Sequence, residues 1–296
     1  MVAMPCPSWC RSSMQKLEVY QSLWAMEQRT PGVEERPMEN NFAMARDAGF
    51  HGLCIDPAVD EIEESLRLMT LYEKYGLKCM VNAFPRTIGE LVPLLEMAKQ
   101  MNAELVNVIG AVMPLTVKEG IPVVKQWMQD AERIGIPLLF ETHRNCTLND
   151  LYYTLQLIEA VPDMRLCADL SHYVVDREMP LPLSERDRGF MQTILERSDC
   201  FQGRVSNREQ IQIQIAFPQH QAWVEQFRCW WKEGIRAWRH RNSANATLVF
   251  LCELGPPPYA ITDASGHELS DRWQEALIIR SWVEAIWGDI AMEQTR

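Results

Sequence analysis

The sequence has no run approaching the roughly 20 apolar residues that span a bilayer. It also lacks a basic excess, with a formal net charge of -11. An acidic surface repels phosphate backbones and anionic membranes, so neither nucleic acid nor a membrane is expected as a partner. Close cysteine pairs are scarce. Cys6 and Cys10 stand near each other, but no second pair completes a zinc site. Most other cysteines, among them Cys54, Cys79, Cys167, Cys200 and Cys252, lie inside apolar runs. They read as small buried hydrophobes of a reducing compartment, so a cytoplasmic protein is expected. Glycine is absent from Gln21-Ser-Leu-Trp-Ala-Met-Glu27, after the first strand signal. The phosphate-binding turn of a doubly wound dinucleotide fold is therefore missing. Met1 to Ser13 holds no continuous apolar segment, unlike a signal peptide. Residues 1–16 are expected as an amino-terminal tail.

What remains is ordinary globular material. The 296 residues are 47% hydrophobic and 23% charged, ample for a core. No composition shift marks a second domain. Strand signals fall at Leu17–Met26, His51–Asp56, Leu77–Phe84, Ala103–Gly110, Ile136–His143, Arg165–Asp169, Cys200–Asn207 and Thr247–Glu253. Helical spacing falls between them, at Met38–Ala48, Glu61–Tyr75, Thr87–Met101, Val117–Ile134, Thr147–Val161 and Ser184–Arg197. Two more helices follow, Gln221–His240 and Asp271–Met292. Thr87, with Glu90 three residues on, reads as a capping box. Strict alternation of this kind predicts a single α/β domain over 17–296, a (β/α)8 TIM barrel.

The chain's chemistry concentrates at strand ends, which form the catalytic rim of such a barrel. Four strands end in oxygen donors: Glu141, Asp169, Gln202 and Glu253. Such a set suits a divalent metal ion, Mn2+ or Mg2+ first and Co2+ or Zn2+ after them. Glu141 and Glu253, facing each other across the rim, would also supply an acid/base pair. Alternation puts His143 on the same face as Glu141 and Arg204 on the same face as Gln202. His172 follows Asp169 in the next turn, and any of the three can bind substrate oxygens. Trp24 reaches the rim and can stack on a sugar face, and Tyr259, on a stiff loop after three prolines beside Glu253, can close the site over a substrate. Gln210, Gln212 and Gln214 alternate like a strand and read either as a pocket edge or as a solvated loop. The Trp-rich helix from Trp223 to Trp238 has helical spacing, which favours core or interface packing over a carbohydrate platform.

Several motifs carry a resemblance. They are Glu141-Thr-His-Arg, Asp169-Leu-Ser-His, Gly203-Arg-Val and Glu253-Leu-Gly-Pro-Pro-Pro-Tyr259. Tyr20-Gln-Ser-Leu-Trp-Ala-Met and Asp47-Ala-Gly-Phe-His-Gly agree with them. Over Leu17 to Trp287 the chain resembles the sugar phosphate isomerase/epimerase family of xylose-isomerase-like barrels. That family includes ketose 3-epimerases, hydroxypyruvate isomerases, inosose dehydratases and endonuclease IV. The resemblance implies a metal held at Glu141, Asp169, Gln202 and Glu253, with His172 and Arg204 on the substrate. The family usually has His where this chain has Gln202. A carbonyl ligates more weakly than imidazole, so this departure bears on metal affinity. The expected activity is isomerisation or epimerisation of a small carbohydrate-like hydroxycarbonyl compound through an enediolate. The alternatives are a metal-dependent dehydratase of an inosose-like substrate and a non-catalytic sugar-binding barrel. Six histidines and an acidic balance argue against the zinc-rich DNA-repair branch. A homo-oligomer is compatible with all of these readings.

Overall fold

Alternation within each strand builds the interior, because successive side chains point to opposite faces. The computed structural model describes residues 15–293. Cys6, Cys10 and nearly all of the expected tail lie outside them. The eight strands are β1 (Lys16–Ser22), β2 (Gly52–Ile55), β3 (Lys78–Ala83), β4 (Val106–Val108), β5 (Leu138–Glu141), β6 (Leu166–Ala168), β7 (Ser198–Gln202) and β8 (Thr247–Cys252). All pair in parallel and in chain order, and β1 closes on β8. The outer layer comprises α1 (Met38–Asp47), α2 (Ile62–Arg67), α3 (Met69–Tyr75), α4 (Leu91–Gln100), α5 (Val117–Ile134), α6 (Leu151–Ala160), α7 (Leu170–Asp176), α8 (Glu185–Glu196), α9 (Gln221–Arg241) and α10 (Arg272–Glu293). The fold is a closed (β/α)8 TIM barrel, as the alternation predicts.

Two apolar layers hold it together. The larger one lies between strands and helices and includes Val19, Leu53, Val81, Phe140, Phe201 and Phe250 from the strands. From α9 it takes Trp223, Phe227, Trp230, Trp231 and Trp238, so the Trp-rich helix is packing. The smaller layer fills the barrel: Tyr20, Cys54, Met80, Leu105, Leu139, Cys167, Cys200, Val249 and Leu251. Two residues beyond the last of these on each strand comes a polar residue. The eight are Ser22, Asp56, Asn82, Asn107, Glu141, Asp169, Gln202 and Glu253. The period-2 rule thus stacks a polar layer directly on the apolar one, at the carboxyl end of the barrel.

Several boundaries differ from the sequence expectation. β1 ends at Ser22, and Trp24 lies in the 3-10 turn Trp24–Met26. The Thr87 side chain makes no cap; Glu90 accepts instead from the Arg86 amide at 2.7 Å. α6 is capped by Asp150, while Thr147 donates to the carbonyls of Gly110 and Val112. His172 sits inside α7 rather than in a turn, because Asp169 caps that short helix through the Ser171 amide. α5 follows its sequence signals closely: a Thr116–Glu119 capping box opens it, and Gly135 closes it at a φ of 77°. No helix of the described residues is long and apolar enough to cross a membrane.

Candidate metal and acid-base site

Seven of the eight polar-layer residues, all but Ser22, join through Arg204 into one hydrogen-bonded network. Asn82 Nδ2 donates to Asp56 Oδ1 at 2.7 Å and to Glu253 Oε1 at 3.0 Å. Asn107 Nδ2 donates to Asn82 Oδ1 at 2.9 Å and to Glu141 Oε2 at 2.5 Å. Gln202 Nε2 reaches the same Glu141 oxygen at 2.7 Å. Gln202 therefore turns its amide nitrogen, not its carbonyl, toward Glu141. Asn82 and Asn107, paired in register on β3 and β4, were not singled out from the sequence. Nor was Asp56. The signal for all three is a lone polar residue two positions after a buried apolar one on an inner strand face.

Arg204 lies two residues past the end of β7, yet it is only 2% exposed. Its Nε donates to Asp169 Oδ2 at 3.1 Å, and its Nη2 donates to Glu253 Oε2 at 2.8 Å. Its guanidinium lies 4.7 Å from the Tyr259 ring centre and 5.8 Å from that of Trp24. Those two rings meet edge to face at 5.2 Å. Trp24 is fitted against Gly255, where any Cβ would approach the indole to 2.3 Å. Gln212 fixes that glycine through both its backbone N–H and its carbonyl. Of the alternating glutamines, Gln212 and Gln214 are buried, and Gln212 holds a wall of the site.

Beyond β5, His143 and His172 pack ring on ring with centres 3.7 Å apart. The His143 Nδ1 is 2.6 Å from the Arg144 carbonyl, and a carbonyl can only accept, so Nδ1 carries the proton. Neither nitrogen of the fully buried His172 has a hydrogen-bond partner, although Nε2 lies 3.4 Å from Asp169 Oδ2. Burial drives His143 down to about 4 and holds His172 well below the usual imidazole range.

The carboxylates respond to burial in the opposite sense. Glu253 is pushed up to about 7 by burial, against the pull of Arg204. Glu141 is raised well above the usual range by burial and by the charges of Glu253 and Asp169. Asp56 is raised by burial and by Glu253. Burial opposes the charge on Arg204, but Asp169 and Glu253 outweigh it and raise the guanidinium.

The layer thus holds four carboxylates around one guanidinium. Four buried acceptors of the layer, Glu141 Oε1, Gln202 Oε1, Asn107 Oδ1 and Asp56 Oδ2, have no partner. Surplus negative charge and orphaned oxygens fit a divalent cation. Two sets of side chains can hold one: Glu141, Asp169 and Glu253, or Glu141, His143 and His172. In each set the ligand atoms lie within 4.8 Å of one another. Above them opens a cavity of about 410 Å³, bordered by Trp24, Asp56, Glu141, His143, Arg204, Glu253 and Tyr259 among others.

Comparison with solved structures agrees with the fold. The chain is similar to a xylose isomerase-like TIM barrel protein from Mycobacterium smegmatis in complex with magnesium. The TM-score is 0.59 at 15% identity, covering 92% of this chain and 97% of the other. It is similar to an L-ribulose 3-epimerase, with a TM-score of 0.62 at 13% identity, over 95% of this chain and 97% of the other. It is also similar to a D-allulose 3-epimerase from Methylomonas sp. in complex with D-allulose. There the TM-score is 0.60 at 12% identity, covering 92% and 99% respectively. At such identities the likeness is one of fold. No protein-family model matches the chain, and no curated protein matches its sequence.

Proposed function

We propose that the protein is a divalent-metal-dependent isomerase or epimerase of a small carbohydrate-like hydroxycarbonyl compound. One observation carries this reading: two buried carboxylates, Glu141 and Glu253, stand with Asp169 in one cluster on the wall of a sugar-sized cavity. Glu141 is common to both sets that can hold the ion. Asp169, Gln202 and Glu253 lie on its oxygen side, His143 and His172 on its nitrogen side. A bound divalent cation supplies Lewis acidity toward a carbonyl and its neighbouring hydroxyl. The protein's own groups do the rest. Glu253, poised near neutrality, takes the proton from the carbon beside the carbonyl, and the electron pair moves onto the carbonyl oxygen. Glu141 returns a proton from the other side. The Arg204 guanidinium, fixed by two carboxylates, presents N–H groups to substrate oxygens. Trp24 and Tyr259 give the apolar face on which a sugar ring stacks and exclude water from the reacting carbon.

The test is solvent-deuterium incorporation, screened over ketoses, inososes and their phosphates. A substrate should gain deuterium beside its carbonyl. Glu253→Gln keeps the shape and the ligating oxygen but not the base, and should lose exchange by about 10²–10⁴-fold with metal still bound. Glu141→Gln should behave likewise. Full exchange in both variants refutes the pair. A product one water lighter transfers the same carboxylates to dehydration.

A further inference from the structure

Resting on that reading, we propose that the metal ion is held by Glu141, His143 and His172 and is a nitrogen-preferring ion, Zn2+ or Co2+. The ring of strand-end oxygens is not its seat. Charge decides first. Asp169 and Glu253 each already have a cation, the same buried Arg204, at 3.1 and 2.8 Å. Glu141 has only neutral donors, the amides of Asn107 and Gln202, and both sit on Oε2. Its Oε1 is buried and unpartnered, so of the three clustered carboxylates Glu141 is the one with no cation beside it.

The imidazoles are prepared for a metal. His143 gives its Nδ1 proton to the Arg144 carbonyl, which leaves the lone pair on Nε2. Metal-ligating histidines commonly have this backbone support, because it fixes both tautomer and ring orientation. His172 is wholly buried, and neither nitrogen has a hydrogen-bond partner, Nε2 lying 3.4 Å from Asp169 Oδ2. Buried polar groups are almost always hydrogen-bonded, so such a ring calls for a ligand. Glu141, His143 and His172 bring one donor atom each within 4.8 Å of the others. Two imidazoles and a carboxylate with an open position form a donor set of the catalytic zinc type. Magnesium, which prefers oxygen and an octahedral shell, is served poorly by it.

Calorimetric titration of the metal-free full-length protein with Zn2+, Co2+, Mn2+ and Mg2+ tests this, together with the visible spectrum of the Co2+ form. Zn2+ and Co2+ should bind at least about tenfold more tightly than Mn2+ and Mg2+. His143→Gln and His172→Gln should each weaken Zn2+ and Co2+ binding by at least about 10–100-fold and alter the Co2+ absorption. His143 borders the cavity, so its variant carries the test if the buried His172→Gln fails to fold. Unchanged Zn2+ and Co2+ affinity in His143→Gln, or a wild-type preference for Mg2+, overturns the assignment. Neither result touches the acid-base reading, which stands or falls on deuterium exchange in Glu253→Gln.

Discussion

Arg204→Met is the most informative single change. It removes the one guanidinium inside the polar layer while keeping a long apolar stem. Asp169 and Glu253 then face Glu141 with oxygens within 4.8 Å and no cation between them. Removing one partner of a buried pair costs about 3–5 kcal/mol. Loss of the cation–π contact with Tyr259 adds about 1–2 kcal/mol for a desolvated pair. Protonation limits the damage. Glu253 already titrates near 7 with Arg204 present, and without it the folded value moves higher still. The native state then holds a proton that the unfolded chain releases. Stability of the variant must therefore fall as pH rises from the unfolded carboxylate value toward and beyond 7, and recover in acid. Urea unfolding in metal-free buffer at pH 8 should show the full loss, and at pH 5 a much smaller one. Freed of Arg204, Asp169 and Glu253 also become an oxygen site. Mn2+ at 100 times its dissociation constant should return about 2.7 kcal/mol to the variant and far less to the parent protein. A variant as stable as the parent at pH 8, or one that gains no Mn2+ affinity, refutes the view that Arg204 serves as the layer's resident cation.

Two further outcomes follow from neighbouring contacts. Gly255→Ala drives a methyl against the Trp24 indole, at a cost of about 1–3 kcal/mol for overpacking. The displaced ring should raise KM in the exchange assay far more than it lowers kcat, and an unaltered KM would remove Trp24 from the substrate wall. Glu275, on α10, accepts from the Ile215 amide at 3.0 Å, and burial pushes it up to about 7 from 4.5. Its folded value exceeds its unfolded one, so it costs stability on the order of 3 kcal/mol once pH passes 7. Glu275→Gln should flatten the stability profile between pH 4.5 and 7, read by chemical denaturation, and an identical slope would show that Glu275 stays charged.

The barrel was legible because its signal is repeated eight times. Each apolar run is short, and each is separated from the next by helical spacing, so individual boundary errors do not alter the topology. Glu141, Asp169, Gln202 and Glu253 were legible for a related reason: ionisable or amide groups interrupt an apolar run at its carboxyl end. Asn82 and Asn107 interrupt their runs in the same way, but an uncharged residue amid Val and Ala draws less notice. Comparing inner positions strand by strand, rather than run by run, would have found them. Arg204 could be expected near the site, but not its grip on Asp169 and Glu253. Those two carboxylates are 35 and 49 residues away in sequence, and no local pattern encodes such a pairing. The tilted packing of His143 against His172 was likewise hidden. It depends on α7, a seven-residue helix whose start is set by the Asp169 side chain.

Gln202 links these parts. A single imidazole nitrogen either donates a proton or offers a lone pair to a cation, and cannot do both. A primary amide carries a donor and an acceptor on the same carbon. Gln202 spends its donor on Glu141 Oε2, where Asn107 also donates, and so fixes one oxygen of that carboxylate with two neutral hydrogen bonds. The other oxygen is left as the free one. Pinning Oε2 restricts rotation of the carboxylate, and the set that does not compete with Arg204 is the one with His143 and His172. An amide at position 202 and an arginine at position 204 thus act together. The first orients Glu141, the second satisfies the two acids beyond it, and the demand for a further cation falls on the nitrogen side of the site.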